Sequence, residues 1–165
     1  MEGLTMQIIL ILSLVAAAIG SGVVAGIFFA FSTFIMSAFS RIPAEQGIAA
    51  MNSINVTIVR SPFMGLFVPT AVLCLLIAVL ALIDWRGGAS ALMLTGAALY
   101  LLASFASTII FNVPMNDALA KVGGNGPEPV QLWTTYVRDW TKWNHVRTIA
   151  SLLASVAFVR ALMIV

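Results

Sequence analysis

The side chains able to do chemistry concentrate in two short stretches, Asn112-Val113-Pro114-Met115-Asn116 and Trp140-Thr141-Lys142-Trp143-Asn144-His145-Val146-Arg147. Two carboxamides four residues apart can both donate to an oxygen on one ligand. They can equally terminate and cap a helix, and spacing alone leaves both readings open. Arg147 stands inside an apolar run, where an arginine costs about 2.5–3.5 kcal/mol on insertion scales, so such residues usually face the protein interior and carry a role. The competing reading is a side chain that snorkels to the headgroups. His145 is the single histidine and the natural proton acceptor near neutral pH, although its neighbours Arg138 and Lys142 point to a wetted face. One histidine cannot ligate a haem from both sides. With no carboxylate in any apolar run, neither a metal cluster nor an intramembrane proton pump is expected.

Wound at about 100° per residue, the segment after Pro129 places Trp133, Tyr136, Trp140, Trp143, Asn144, Arg147 and Ser151 within an arc of roughly 120°. Arg138, Lys142 and His145 share a second arc. An aromatic belt at the membrane surface explains the depth of the tryptophans. It does not explain why they gather on one side with Asn144 and Arg147.

These residues must be positioned by membrane helices. The chain has 165 residues, 61% hydrophobic and 8% charged, with formal net charge +2 and mean hydropathy +1.07. A soluble domain carries about 25% charged residues, so most soluble enzymes and nucleic-acid binders are excluded. A bilayer core takes about 20 apolar residues as a helix, and four runs qualify: 7–39, 62–83, 89–111 and 143–165. Lipid offers the backbone no hydrogen-bond partners, so the runs are helices. The expected fold is all-α, one integral membrane domain over 1–165. It is a transmembrane four-helix up-down bundle with short extra helices in the 1–2 and 3–4 loops. The leader Met1-Glu2-Gly3-Leu4-Thr5 has no cation and the first apolar run is about twice a signal segment's length, so it reads as a retained span.

Spans two and three are joined by the tight turn Asp84-Trp85-Arg86-Gly87-Gly88. The other two connections are long and fall on the same side of the membrane, which is where a site is expected. Arg41, Arg60, Lys121, Arg138 and Lys142 lie on that side, which by the positive-inside rule is cytoplasmic, with both termini outside. The first long connection, Pro43 to Arg60, reads as an amphipathic helix with Ile48, Met51, Ile54 and Ile58 apolar. It suits a helix lying on the membrane, with Asn55 available as a ligand contact. Ala18, Gly22, Gly26 and Ala30 form a ridge of small residues that fits packing within the bundle or a homo-oligomer face. Cys74, the lone cysteine, reads as a small apolar core residue.

Taken with Gly26-Ile27-Phe28-Phe29-Ala30-Phe31-Ser32 and Met51-Asn52-Ser53-Ile54-Asn55, the two chemical stretches resemble the anthrone-oxygenase-like family of small integral membrane proteins, in the same order along the chain. Most bacterial members have no assigned activity, while a few, mainly fungal, oxidise anthrones to anthraquinones with molecular oxygen and no evident cofactor. The resemblance implies Asn112, Asn116, Trp140, Asn144 and Arg147 as site residues and an inner-membrane location. On that reading Phe31, Trp140 and Trp143 form a slot for an apolar aromatic and the three asparagines donate to an oxyanion. Arg147 offsets its charge, and His145 or a water takes the proton. No cofactor, metal or nucleic acid is expected. The partners are the lipid bilayer, the aromatic and O2. The alternative is a non-catalytic membrane protein that binds a lipid or quinone-like ligand. A small transporter fits less well, since four spans show no pair of repeats.

Overall fold

The computed structural model describes residues 2–122 and 127–165. Met1 of the leader and 123–126 of the second long loop lie outside the described residues. Among the described residues there are five helices and no strand. Helix α1 runs from Glu2–Ala30 through a π-helical stretch, Phe31–Ile35, to Met36–Phe39. Helix α2 is Ala44–Ile58 and α3 is Pro62–Ile83. Helix α4 begins as Gly88–Ala98, widens into π-helix over Leu99–Ala106 and Thr108–Asn112, and closes as Val113–Ala120. Helix α5 is Pro127–Leu162, 36 residues in one piece. All except α2 are long and apolar enough to cross a membrane, and the chain is a membrane protein built as an up-down bundle.

One expectation is corrected: the helix of the third span runs on past 111, because Pro114 does not break it. Hydrogen bonds in the π stretch before it reach from i to i+5, and this wider turn accommodates a ring that would clash with the carbonyl four residues back in an α-helix. The helix that carries the fourth span starts ahead of it, at Pro127. At 1.5 Å per residue α5 is about 54 Å long, well beyond a hydrocarbon core of about 30 Å. Most of the second long loop is therefore helix: the short Val113–Ala120 segment that closes α4, and the first turns of α5 rising out of the membrane. The polar side chains that suggested a loop, such as Thr134, Thr135 and Arg138, are exposed, while Trp133, Tyr136 and Trp140 on the opposite face are buried.

Helix α5 is central and packs along α1 and α4, while α3 closes the bundle against α1 and the first half of α4. The core has two parts. Within the spans it contains Leu14, Cys74, Ile77, Tyr100 and Phe158. At the end away from the 84–88 turn it contains Met36, Ile48, Met51, Leu119 and the three buried α5 aromatics. The small-residue ridge serves the bundle where it is buried: Ser155 Oγ donates to Ala18 O at 2.8 Å, and a Cβ on Gly22 would meet that hydroxyl at 3.3 Å.

Helix α2 does not lie flat with its apolar face in lipid. That face packs on the bundle end, with Ile48 and Met51 buried. Gly47 makes this possible, since a Cβ there would sit 2.5 Å from Cζ2 of Trp133.

Candidate functional site

Beneath α2, all five helices border a cavity of about 370 Å3, a volume in the range of small-molecule sites. Its walls are largely aromatic. Phe63 and Phe67, one turn apart on α3, stack at 5.4 Å, and Phe105 of α4 lies 5.1 Å from Phe67. Phe28 meets both α3 rings edge-on, and Phe31 lies 5.6 Å from Trp140. Helix α2 contributes Met51, Ile54, Asn55 and Ile58, positions i, i+3, i+4 and i+7 of one helical face.

The polar groups come from α4 and α5. Thr108, Asn112 and Asn116, each four residues apart, face the cavity from α4, and Arg147 reaches it from α5. Arg147 is 3% exposed. Its Nη2 donates to Asn144 Oδ1 at 2.8 Å and its Nη1 to Thr108 Oγ1 at 3.3 Å. The guanidinium carbon lies 4.3 Å from the Phe28 ring centre and 4.9 Å from that of Trp140. Such cation–π contacts are stronger when desolvated. Nε has no protein partner. Among the described residues the ion pairs, Arg86–Asp84 and Arg138–Asp139, lie elsewhere, so no carboxylate neutralises Arg147. A buried cation without a counter-ion can take up negative charge that a ligand brings.

The three asparagines divide their work. Asn144 is fully buried, and its Nδ2 donates to Phe28 O at 2.6 Å and to Ser32 Oγ at 2.7 Å. With Oδ1 taken by Arg147, it has no hydrogen left for a ligand. It aims the guanidinium and ties α5 to α1 instead of donating to an oxyanion as expected. Asn116 Oδ1 accepts from Tyr136 Oη at 2.8 Å and Trp140 Nε1 at 2.9 Å, fixing the indole that lines the cavity. Asn112 is not a helix cap. It lies within α4, 1% exposed, donates from Nδ2 to Trp140 O at 3.3 Å, and keeps Oδ1 unpaired. Asn55 lines the cavity from α2 with its Nδ2 unpaired.

Of the residues expected at the site, the structure brings Phe31, Asn55, Asn112, Asn116, Trp140 and Arg147 to one cavity. Trp143 is not among its lining residues. It lies at the edge of the aromatic arc and stacks on Phe111 at 3.6 Å. His145 is also outside. It is exposed on the far arc of α5, in a shallow groove with Ser37, Arg138 and Lys142. Sequence reasoning missed Thr108, Asp117 and the Phe63, Phe67 and Phe105 wall. Thr108 stands four residues before Asn112, and Phe63 four before Phe67, so helical spacing held a signal for both.

Compared with known proteins, residues 63–157 match a family model described as anthrone oxygenase. That is more than half of the chain, and it spans α3, α4 and most of α5 with Asn112, Asn116, Trp140, Asn144 and Arg147. No curated protein and no solved structure matches the chain.

Proposed function

The chain belongs to the anthrone oxygenase family, and from that membership we propose a membrane-embedded oxygenase that acts on an apolar anthrone-like or phenolic aromatic held in the cavity under α2. The observation that carries the proposal is Arg147, buried without a carboxylate at one end of an aromatic-walled cavity.

An anthrone is a flat ketone whose ring methylene is acidic, because the anion delocalises onto the carbonyl oxygen as a phenolate. The aromatic walls hold the ring system. Arg147 receives the developing oxyanion in a site of low dielectric, where such preorganised charge is worth most. Asn112 Oδ1 accepts from a hydroxyl on the ligand, and Asn144 and Thr108 hold the guanidinium. Asp117, the one carboxylate among the described cavity-lining residues, stands exposed at the rim and takes the methylene proton out to water. The carbanion then gives its electrons to O2 and forms a carbon–oxygen bond. Loss of water from the resulting hydroperoxide leaves the second carbonyl. The sum is balanced: one anthrone and one O2 give one anthraquinone and one H2O. No cofactor is assigned to this sequence of steps. The location proposed is a bacterial inner membrane, with the α2 end cytoplasmic.

Purified protein in lipid vesicles, given an anthrone in air and under nitrogen, tests this. Quinone colour should develop only in air and above the rate of empty vesicles, with one O2 consumed per quinone. Saturable binding of the anthrone with no oxygen uptake would assign the chain to the non-catalytic binders.

A further inference from the structure

Helices α3 and α4 pack closely beside the 84–88 turn and part toward the α2 end. There 108–120 pack on α5 and α2 instead of on α3. The parting lies over the cavity. Val68 of α3 and Ile109 and Val113 of α4 line the cavity and are nonetheless 39%, 54% and 40% exposed, which makes them its mouth. Their outward neighbours Val72 and Ile110 are exposed and apolar as well. Val68 is six residues into the apolar helix that begins at Pro62, about 9 Å along the helix axis, so the opening lies along the apolar part of α3. Among the described residues that line the cavity the charged ones are Asp117, exposed, and Arg147, buried within. A hydrated anion would have to shed its water against valine and isoleucine to enter here. An uncharged ring system already dissolved in lipid would not.

We infer that the cavity opens sideways into the bilayer between α3 and α4, and that its ligand is a flat, uncharged aromatic taken from the membrane. The inference rests on the reading of the cavity as an aromatic site. It adds the route and the physical state of the ligand: neutral on entry, and anionic only beside Arg147.

The experiment uses the full-length protein in vesicles and follows quenching of tryptophan fluorescence by anthraquinone after rapid mixing. Adding empty lipid at constant total quinone should weaken apparent binding in proportion, because membrane concentration governs occupancy. Anthraquinone-2-sulfonate, held in water by its charge, should associate at least about tenfold more slowly. Val68→Phe combined with Ile109→Phe narrows the mouth and should slow association and dissociation together by about tenfold. The same change at Leu102, 69% exposed on α4 and not among the cavity's lining residues, should alter neither rate. Equal association of the sulfonate, or wild-type rates in the double variant, would overturn the sideways entry. Quinone binding through the mouth without oxygen uptake would sink the oxygenase proposal and leave the entry route standing. Absence of quenching by membrane-dissolved quinone would overturn both.

Discussion

Replacing Arg147 with methionine separates the chemical role of the guanidinium from its structural one. The substitution removes the hydrogen bond to Asn144 Oδ1 at 2.8 Å, the longer one to Thr108, and two ring contacts. Orphaning the buried Asn144 oxygen costs about 1–3 kcal/mol. Against that, the variant no longer holds an uncompensated cation in an apolar bundle, a cost of about 2.5–3.5 kcal/mol on insertion scales. A flexible thioether also fits between Phe28 and Trp140. The two effects oppose each other at similar size, so the unfolding midpoint in detergent should move little. Turnover should not survive: loss of a principal oxyanion-stabilising donor lowers kcat by about 10²–10³, or about 2.7–4 kcal/mol. Oxygen uptake and quinone absorbance on matched, folded samples give both numbers. Turnover within about threefold of wild type, a barrier change below about 0.7 kcal/mol, would refute the reasoning.

Further outcomes follow from the same geometry. Asp117→Asn should lower turnover by about 10²-fold as the general base is lost, whereas His145→Ala, on the outer face of α5, should leave it near wild type; the two rates are compared in one assay. Asn116→Leu orphans Tyr136 Oη and Trp140 Nε1, at about 1–3 kcal/mol for each buried group, and should lower the unfolding midpoint and shift tryptophan emission. Asn116→Asp keeps the acceptor and should recover much of that loss. Gly47→Ala drives a Cβ to 2.5 Å from the Trp133 ring and 3.2 Å from Phe39 O. It should destabilise the α2 end by about 1–3 kcal/mol, read as earlier proteolysis within α2.

The aromatic face of α5 was legible because asparagine and arginine are costly in lipid. Their sharing of one arc with Trp140 is hard to obtain without a polar interior. The helical wheel of one segment does not say what packs beside it, and that is why Trp143 falls outside the cavity, whereas His145 lies where its arc with Arg138 and Lys142 put it. Trp143 found Phe111, and His145 found the wetted groove beside Lys142. Asn144 lies behind Arg147 and not among the cavity-lining residues, since nothing in its spacing reveals Phe28 O and Ser32 Oγ across the interface. The length of α4 was hidden by Pro114, a helix breaker in any local reading, because a π-helical stretch leaves no compositional mark. Thr108 was passed over for a related reason. A threonine in a membrane helix usually bonds the carbonyl four residues back, as it does here with Ser104 O at 2.8 Å, and its second role toward Arg147 arises only when α5 is in place. Helix α2 carried the same amphipathic signal whether it covered lipid or a bundle end.

The most direct test of the central claim is a crystal structure of the protein grown in lipid with an anthraquinone bound. The account predicts the ring system between the Phe63, Phe67 and Phe105 wall and Trp140, with one oxygen within hydrogen-bond distance of the Arg147 guanidinium. A quinone seated anywhere else, or a guanidinium turned to another partner while the cavity stays unchanged, would contradict it.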